Sequence, residues 1–251
     1  MDASAYIGTE AVAGFRDARG AGAMVFDPAQ LPGAGVGLFD PQREAGAALA
    51  VPVGGRGAAW FVHTPAGAAV LRHYRRGGMA AKLSAGSYLW QGAQRTRSFR
   101  EFRLLQALRA RGLPVPTPLA AAYWRAGAGY RAALLTLRIE PARSLGALVD
   151  AGLPAPWDKI GITIARFHRA GACHADLNVD NLLMDADDDC WMIDFDRGAV
   201  RRPALQWQLA NLARLRRSLR KRIGARADTG AGLAGWERLL AAWNESMRVP
   251  A

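Results

Sequence analysis

The sequence predicts an α+β chain in two lobes, a small β-rich one followed by a larger helical one. Three observations carry this. Short apolar runs broken by glycine and proline turns fill residues 25–140, and helical spacing of apolar residues dominates the C-terminal part of the chain. Between them in character lies residues 173–198, where Leu182-Leu183-Met184 and Trp191-Met192-Ile193 flank a polar turn and read as a hairpin. The chain accordingly divides into a variable segment, 1–24, an N-terminal lobe, 25–140, and a C-terminal lobe, 141–251.

Each element follows from local pattern. Residues 1–24 are rich in Gly and Ala and carry no clear period. Met24-Val25-Phe26 and Gly37-Leu38-Phe39 read as short strands around a Pro/Gly loop. Val51-Pro52-Val53 and Ala58-Ala59-Trp60-Phe61-Val62 enclose a turn with Gly54, Gly55 and Gly57. Two readings stand for that turn: a plain hairpin turn, or a backbone that approaches phosphates closely. It is neither a Walker motif nor a full G-x-G-x-x-G. Ala69 to Tyr74 fits a strand carrying Arg72, either an exposed strand arginine or a cation for nucleotide phosphates.

From Ser98 the period turns helical, with Phe99, Phe102, Leu105 and Leu108 on one face and Gly112-Leu113-Pro114 as the stop. Ser98 with Glu101 reads as a capping box; the other role open to Glu101 is an ion pair with Arg72. Pro114 to Pro118 is stiff and extended, and strands are expected over 120–124 and 131–140. A linker through 140–144 leads to helices over 145–151 and 158–171. Beyond Gly198, Leu205, Leu209, Leu212, Leu215, Leu219 and Ile223 form one apolar stripe. Arg214, Arg216, Arg217, Arg220, Lys221 and Arg222 crowd its other faces, either as a solvated surface or as an anion-binding one. Trp236, Leu239, Leu240 and Trp243 mark a last amphipathic helix.

At 251 residues the chain can bury a substantial core. Its net charge of +12, almost all from arginine, favours anionic partners. Nucleic acid is not expected, because no helix-turn-helix, zinc or RNA-binding signature accompanies the charge. Cys173 and Cys190 read as buried thiols of a reducing compartment. The N-terminus lacks the pattern of a secretory signal, and no apolar run approaches the roughly 20 residues of a membrane span. The expected location is the cytoplasm, or a membrane surface reached from that side.

The chemistry concentrates in two acidic clusters. His174-Ala175-Asp176-Leu177, with Asn181 five positions after Asp176, precedes the hairpin, and Asp194-Phe195-Asp196 ends it. The hairpin projects Asp176, Asn181 and Asp194 toward a common edge, and such oxygen groups suit Mg²⁺-dependent phosphoryl transfer.

The full order is glycine turn, strand cation, helix glutamate, H-x-D-L-x-x-x-N and D-F-x, which resembles the protein-kinase-like fold. RGAAWFV, VLRHYRRGG, FREF, LPVP, HADLNVDN and IDFDRG together resemble the bacterial 3-deoxy-D-manno-octulosonic acid (Kdo) kinases of the lipopolysaccharide kinase family, over about residues 25–225. The resemblance implies ATP-dependent phosphorylation of the 4-hydroxyl of Kdo in Kdo-lipid A, at the cytoplasmic face of the inner membrane. It implies Asp176 as catalytic base, Asn181 and Asp194 as Mg²⁺ ligands, and Arg72, paired with Glu101, as the phosphate cation. It further implies Gly54, Gly55 and Gly57 over the ATP phosphates, and main chain near Leu137 and Glu140 against adenine. Arginine at 72 departs from the usual lysine, with Lys82 in reserve. Asp196 replaces the glycine of D-F-G and no A-P-E comes after it, so peptide docking is not expected. Arg75, Arg76 or the basic helix are candidates for acceptor anions. The alternatives are a heptose kinase, an aminoglycoside- or choline-type phosphotransferase, and a non-catalytic pseudokinase or anion-binding module.

Overall fold

The protein was analysed as a computed structural model, which describes residues 10–41, 49–50, 58–74 and 88–248. Gly54, Gly55, Gly57, Arg75, Arg76 and Lys82 lie outside the described residues. The chain separates into two compact units, residues 1–107 with 117–138, and residues 108–116 with 139–251.

The first unit is built on one antiparallel sheet. Its strands are β1 (Ala11–Asp17), β2 (Gly20–Phe26), β3 (Leu49–Ala50), β4 (Ala58–Thr64), β5 (Gly67–His73), β6 (Tyr88–Leu89), β7 (Pro118–Ala126) and β8 (Gly129–Leu137). They run in the order β1-β2-β7-β8-β5-β4-β3, with β6 also on β8. Met24, Leu31, Phe39, Leu71, Leu119, Trp124 and Leu135 are the centre of its core.

Most of the segment that the sequence leaves without a pattern is thus an ordered hairpin. β1 alternates half-buried and exposed positions, but Ala and Gly hold several of them, so the period-2 signal is faint. Asp17 secures the turn by accepting from the Arg19 amide at 2.8 Å and from Trp124 Nε1 at 3.1 Å. Burial alone would raise its carboxyl pKa, but the Arg19 guanidinium, 2.9 Å from Oδ2 at Nε, together with those contacts holds it below the usual range. The strand expected at 37–39 is instead a 3₁₀ turn, Val36–Phe39. Phe39 is fully buried edge-on to Trp124, and its carbonyl accepts from Arg19 Nη1, so the segment folds over the sheet rather than pairing in it.

Helix α1 (Arg97–Ala110) buries Phe99, Phe102, Leu105 and Leu108 as its spacing predicts. The capping box does not form. Ser98 lies inside the first turn, and its hydroxyl donates to Ala122 O of β7 at 2.9 Å. Gly112, at φ 68°, ends the helix, with Leu113 N–H donating to Leu108 O. Residues 108–116 belong to the second unit because the extended Pro-rich run pairs there: Met192 N–H donates to Pro114 O at 2.9 Å, and Val115 is fully buried.

The second unit contains β9 (Ala142–Ser144), α2 (Leu145–Asp150), α3 (Trp157–Arg169), β10 (Ala172–Cys173), β11 (Leu182–Asp185), β12 (Cys190–Met192), β13 (Ala199–Val200), α4 (Leu205–Ile223) and α5 (Gly230–Arg248). The expected hairpin is β11–β12, in register Leu182↔Met192. The expected linker at 140–144 is mostly strand β9, which pairs with β11 and makes the sheet three-stranded. Ser144 also caps α2 by accepting from Ala147 N–H at 3.1 Å. Asp185 ties the hairpin turn, accepting from the Asp187 and Asp189 amides and from Trp191 Nε1. Helices α3 and α5 cross so closely that a Cβ at Gly161 would strike Leu239 O and one at Gly235 the Trp157 ring. Cys173 and Cys190 are both reduced and buried, and burial pushes the Cys190 thiol up to about 12.

Candidate active site

In the first unit the strand cation and the helix glutamate meet. Arg72 Nη2 lies 2.5 Å from Glu101 Oε2, and the Tyr74 hydroxyl donates to the same oxygen at 2.6 Å. Glu101 is 3% exposed, so its carboxylate has left water and depends on these partners. Arg72 keeps 23% exposure and lies over the Tyr74 ring at 4.7 Å. The pair is therefore a buried acceptor holding a partly exposed cation in one orientation. Of the two roles open to Glu101, the ion pair is the one formed. Sequence reasoning did not single out Tyr74; its spacing of two from Arg72 at a strand end was the available signal.

In the second unit the loop after β10 is held by its own side chains. Asp176 O accepts from Asn178 Nδ2 and Asn181 Nδ2, each at 3.0 Å, and Asn178 Oδ1 accepts from Asp180 N–H. Asn181 therefore turns its amide nitrogen inward, leaving Oδ1 as the atom for a ligand. Ile193 N–H donates to Asn181 O at 3.0 Å, which brings Asp194 to the same end of the hairpin. Asp194 itself takes a left-handed backbone, φ 62°, where a non-glycine residue is uncommon.

His174 joins the two acidic clusters. Its Nδ1 accepts from the Asp176 amide at 3.1 Å, so Nε2 carries the proton and donates to Ile193 O at 2.9 Å. Burial lowers the imidazole pKa, although the Ile193 carbonyl and the nearby carboxylates of Asp194 and Asp176 oppose this. The ring also packs edge-on to Phe195, which stacks on Phe167. A neutral His174 is thus the brace between the loop and the Asp194 segment.

Helix α4 grips this loop from outside. Asn211 Nδ2 donates to His174 O at 3.0 Å, and Ser218 Oγ accepts from Val179 N–H at 3.1 Å. Between them Arg214 Nη1 lies 3.8 Å from Asp176 Oδ1. None of these three contacts is apparent from sequence, where the helix shows only an apolar stripe and a basic background. The basic background divides as well: Arg216 and Arg220 pair with Asp228, and Arg222 pairs with Asp150 and Asp180. Half of these cations thus serve internal structure, while Arg214, Arg217 and Lys221 are exposed at helical spacing on one side.

The donor set fits a hard divalent ion. Asn181 and Asp194 offer oxygen atoms, and an ion of the Mg²⁺ kind takes one or two protein side chains with phosphates and water completing the shell. Among the described residues no group of three or more His, Cys, Asp or Glu forms a closed metal cage. At the expected adenine segment, the Leu137 and Arg138 amides already donate to Thr117 O and Ala68 O within the first unit.

The family model for the lipopolysaccharide kinase (Kdo/WaaP) family matches residues 45–243. A 3-deoxy-D-manno-octulosonic acid kinase of Xanthomonas campestris pv. campestris (strain B100) is 56% identical over 219 residues, covering 87% of this chain and 88% of the relative. One of the same name from Stenotrophomonas maltophilia (strain R551-3) is 56% identical over 225 residues, covering 89% and 90%. A bifunctional kinase-methyltransferase, WbdD, is similar in structure at 17% identity and TM-score 0.44, over 88% of this chain and 46% of that one. By sequence, then, the chain belongs to the lipopolysaccharide kinase (Kdo/WaaP) family.

Proposed function

We propose that the protein transfers the γ-phosphoryl group of ATP to the 4-hydroxyl of Kdo in Kdo-lipid A. The observation that carries the reading is the braced loop in which His174 ties Asp176 to the Asp194 segment and Asp176 O holds Asn181, in a chain 56% identical to Kdo kinases. Asp176, with its side chain 71% exposed, accepts the proton of the acceptor hydroxyl. The hydroxyl oxygen forms the new bond to phosphorus as the bond to the bridging oxygen breaks, and ADP leaves with the electron pair. Asn181 and Asp194 would hold Mg²⁺, which when bound neutralises charge on the phosphates. Arg72, aimed by Glu101 and Tyr74, clamps phosphate oxygens through its planar fork. Gly54, Gly55 and Gly57, outside the described residues, would cover the phosphates, and main chain near Leu137 and Glu140 would meet the adenine edge.

The acceptor is a lipid, and the protein acts as a peripheral enzyme at the cytoplasmic face of the inner membrane. Its net charge of +12 supports this, as do exposed Val200, Leu205 and Leu209 beside exposed Arg201 and Arg202. Among the described residues no helix is long and apolar enough to cross a membrane.

The test is mass spectrometry of Kdo-lipid A after incubation with enzyme and Mg-ATP, beside a heptose-bearing acceptor. Gain of one phosphate on Kdo by the wild type, and none by Asp176→Asn, is the expected result. Phosphate appearing only on heptose would transfer the activity to that sugar.

A further inference from the structure

We infer that Arg214 is the residue that recognises the carboxylate of the acceptor sugar, and that it rests on Asp176 until the acceptor arrives. The inference rests on the proposed acceptor, which is by its chemistry an acid. Four observations support it.

First, the position of Arg214 is imposed. Asn211 and Ser218 stand three residues before and four after it, on the same face of α4. Each is bonded to the main chain of the Asp176 loop, at His174 O and Val179 N. A helix pinned on both sides of Arg214 delivers its guanidinium to the loop rather than to open solvent.

Second, the partner is unusual for a structural ion pair. The two side chains are 44% and 71% exposed, and the 3.8 Å separation is an ion-pair distance rather than a hydrogen bond. Exposed pairs contribute little to stability, so this one is readily exchanged. By contrast Arg216, one tenth exposed, is 2.6 Å from Asp228 and lies over the Trp236 ring, as a fixed structural arginine does.

Third, a guanidinium against the carboxylate that must take a proton is counterproductive while it stays there. An incoming carboxylate offers a second planar anion, and Arg prefers such bidentate partners. Moving Arg214 from Asp176 to the substrate acid would do two things at once: orient the sugar beside the base, and leave the base to the hydroxyl. A neutral sugar of similar shape provides no such exchange.

Fourth, the other cations of the helix are otherwise placed. Arg216, Arg220 and Arg222 are paired with Asp228, Asp150 and Asp180. Arg217 and Lys221 lie progressively further along the helix from the contact with Asp176.

The experiment compares mono-Kdo lipid A with its Kdo methyl ester, on wild-type protein and on Arg214→Ala and Arg214→Lys, with kcat and KM measured for acceptor and for ATP. The wild type should lose about thirty-fold in kcat/KM on the ester, the worth of one charge-assisted contact. Arg214→Ala should treat acid and ester alike within about two-fold, with KM for ATP unchanged. Arg214→Lys should recover part of the discrimination. If Arg214→Ala still prefers the acid as strongly as the wild type, the assignment is wrong. It is equally wrong if both substrates suffer together and KM for ATP rises, since Arg214 then serves the phosphates. A wild type that phosphorylates both forms equally removes the carboxylate from recognition. A wild type that phosphorylates neither brings down the functional reading itself, and this inference with it.

Discussion

The Arg72–Glu101 pair and the Asp176 loop are both polar devices, but they are built in opposite ways. Arg72 and Glu101 are 29 residues apart, and their meeting depends on a strand and a helix packing correctly. The loop is local: His174, Asp176, Asn178 and Asn181 bond one another within eight positions of chain. Burial differs as sharply. Glu101 is 3% exposed whereas the Asp176 side chain is 71% exposed. A buried carboxylate that loses a cation held 2.5 Å away is less well compensated, so the first device should fail by damaging the fold. The second has little stability invested in its reactive group and should fail by losing chemistry alone.

The largest expected effect separates the two directly. Asp176→Asn should lower phosphoryl transfer about 10³-fold, the usual reach of a general base, with the melting temperature unchanged. Steady-state turnover and calorimetry on one preparation check both halves; a large drop in melting temperature would erase the contrast.

Arg72→Met should instead destabilise the protein by about 2–3 kcal/mol, because it removes the guanidinium 2.5 Å from a carboxylate that stays buried. A double-mutant cycle with Glu101→Leu in urea should return a coupling of about 1–3 kcal/mol. Additive losses would mean that the pair is not the unit we describe.

A pH effect sharpens the picture on the local side. Burial lowers the pKa of His168 to about 4 and that of His174 in the same direction. Both rings are neutral when folded, so their stability is fully present above pH ~6.5, where the unfolded chain is also neutral. It is lost as the pH falls from there, for His168 down to about 4, with a limit on the order of 3 kcal/mol. Urea midpoints at pH 7.5 and 5 should show the decline, and His168→Gln should flatten part of it.

Smallest is Ser218→Ala, which removes the acceptor for Val179 N–H and should cost about 1 kcal/mol. The loop then keeps Asn211 at His174 O and Arg222 at Asp180 Oδ2 as hydrogen-bonded holds from α4. Faster hydrogen exchange at Val179 would confirm the grip; unchanged exchange would show that the local network suffices.

Legibility followed the same division. HADLNVDN and IDFDRG disclosed the loop because its geometry is set by contacts a few residues apart, and the hairpin is announced by two apolar runs around a polar turn, Leu182-Leu183-Met184 and Trp191-Met192-Ile193. Ser98 and Glu101 misled, since S-x-x-E is a true helix-start signal, yet Ala122 O and Arg72 offered these side chains better partners. The 142–144 stretch read as linker because three residues carry too little period to announce a strand.

By itself, then, the sequence determined the two-lobed α+β plan, the hairpin and the amphipathic helices. Those features depend on periodicity and short-range bonding, which a linear string records. Only the tertiary structure decided that Glu101 holds Arg72, that His174 is a neutral brace, and that Arg214 rather than Arg216 or Arg220 reaches Asp176. Each is a choice among many chemically equivalent partners, and only the packing of elements distant in sequence selects one.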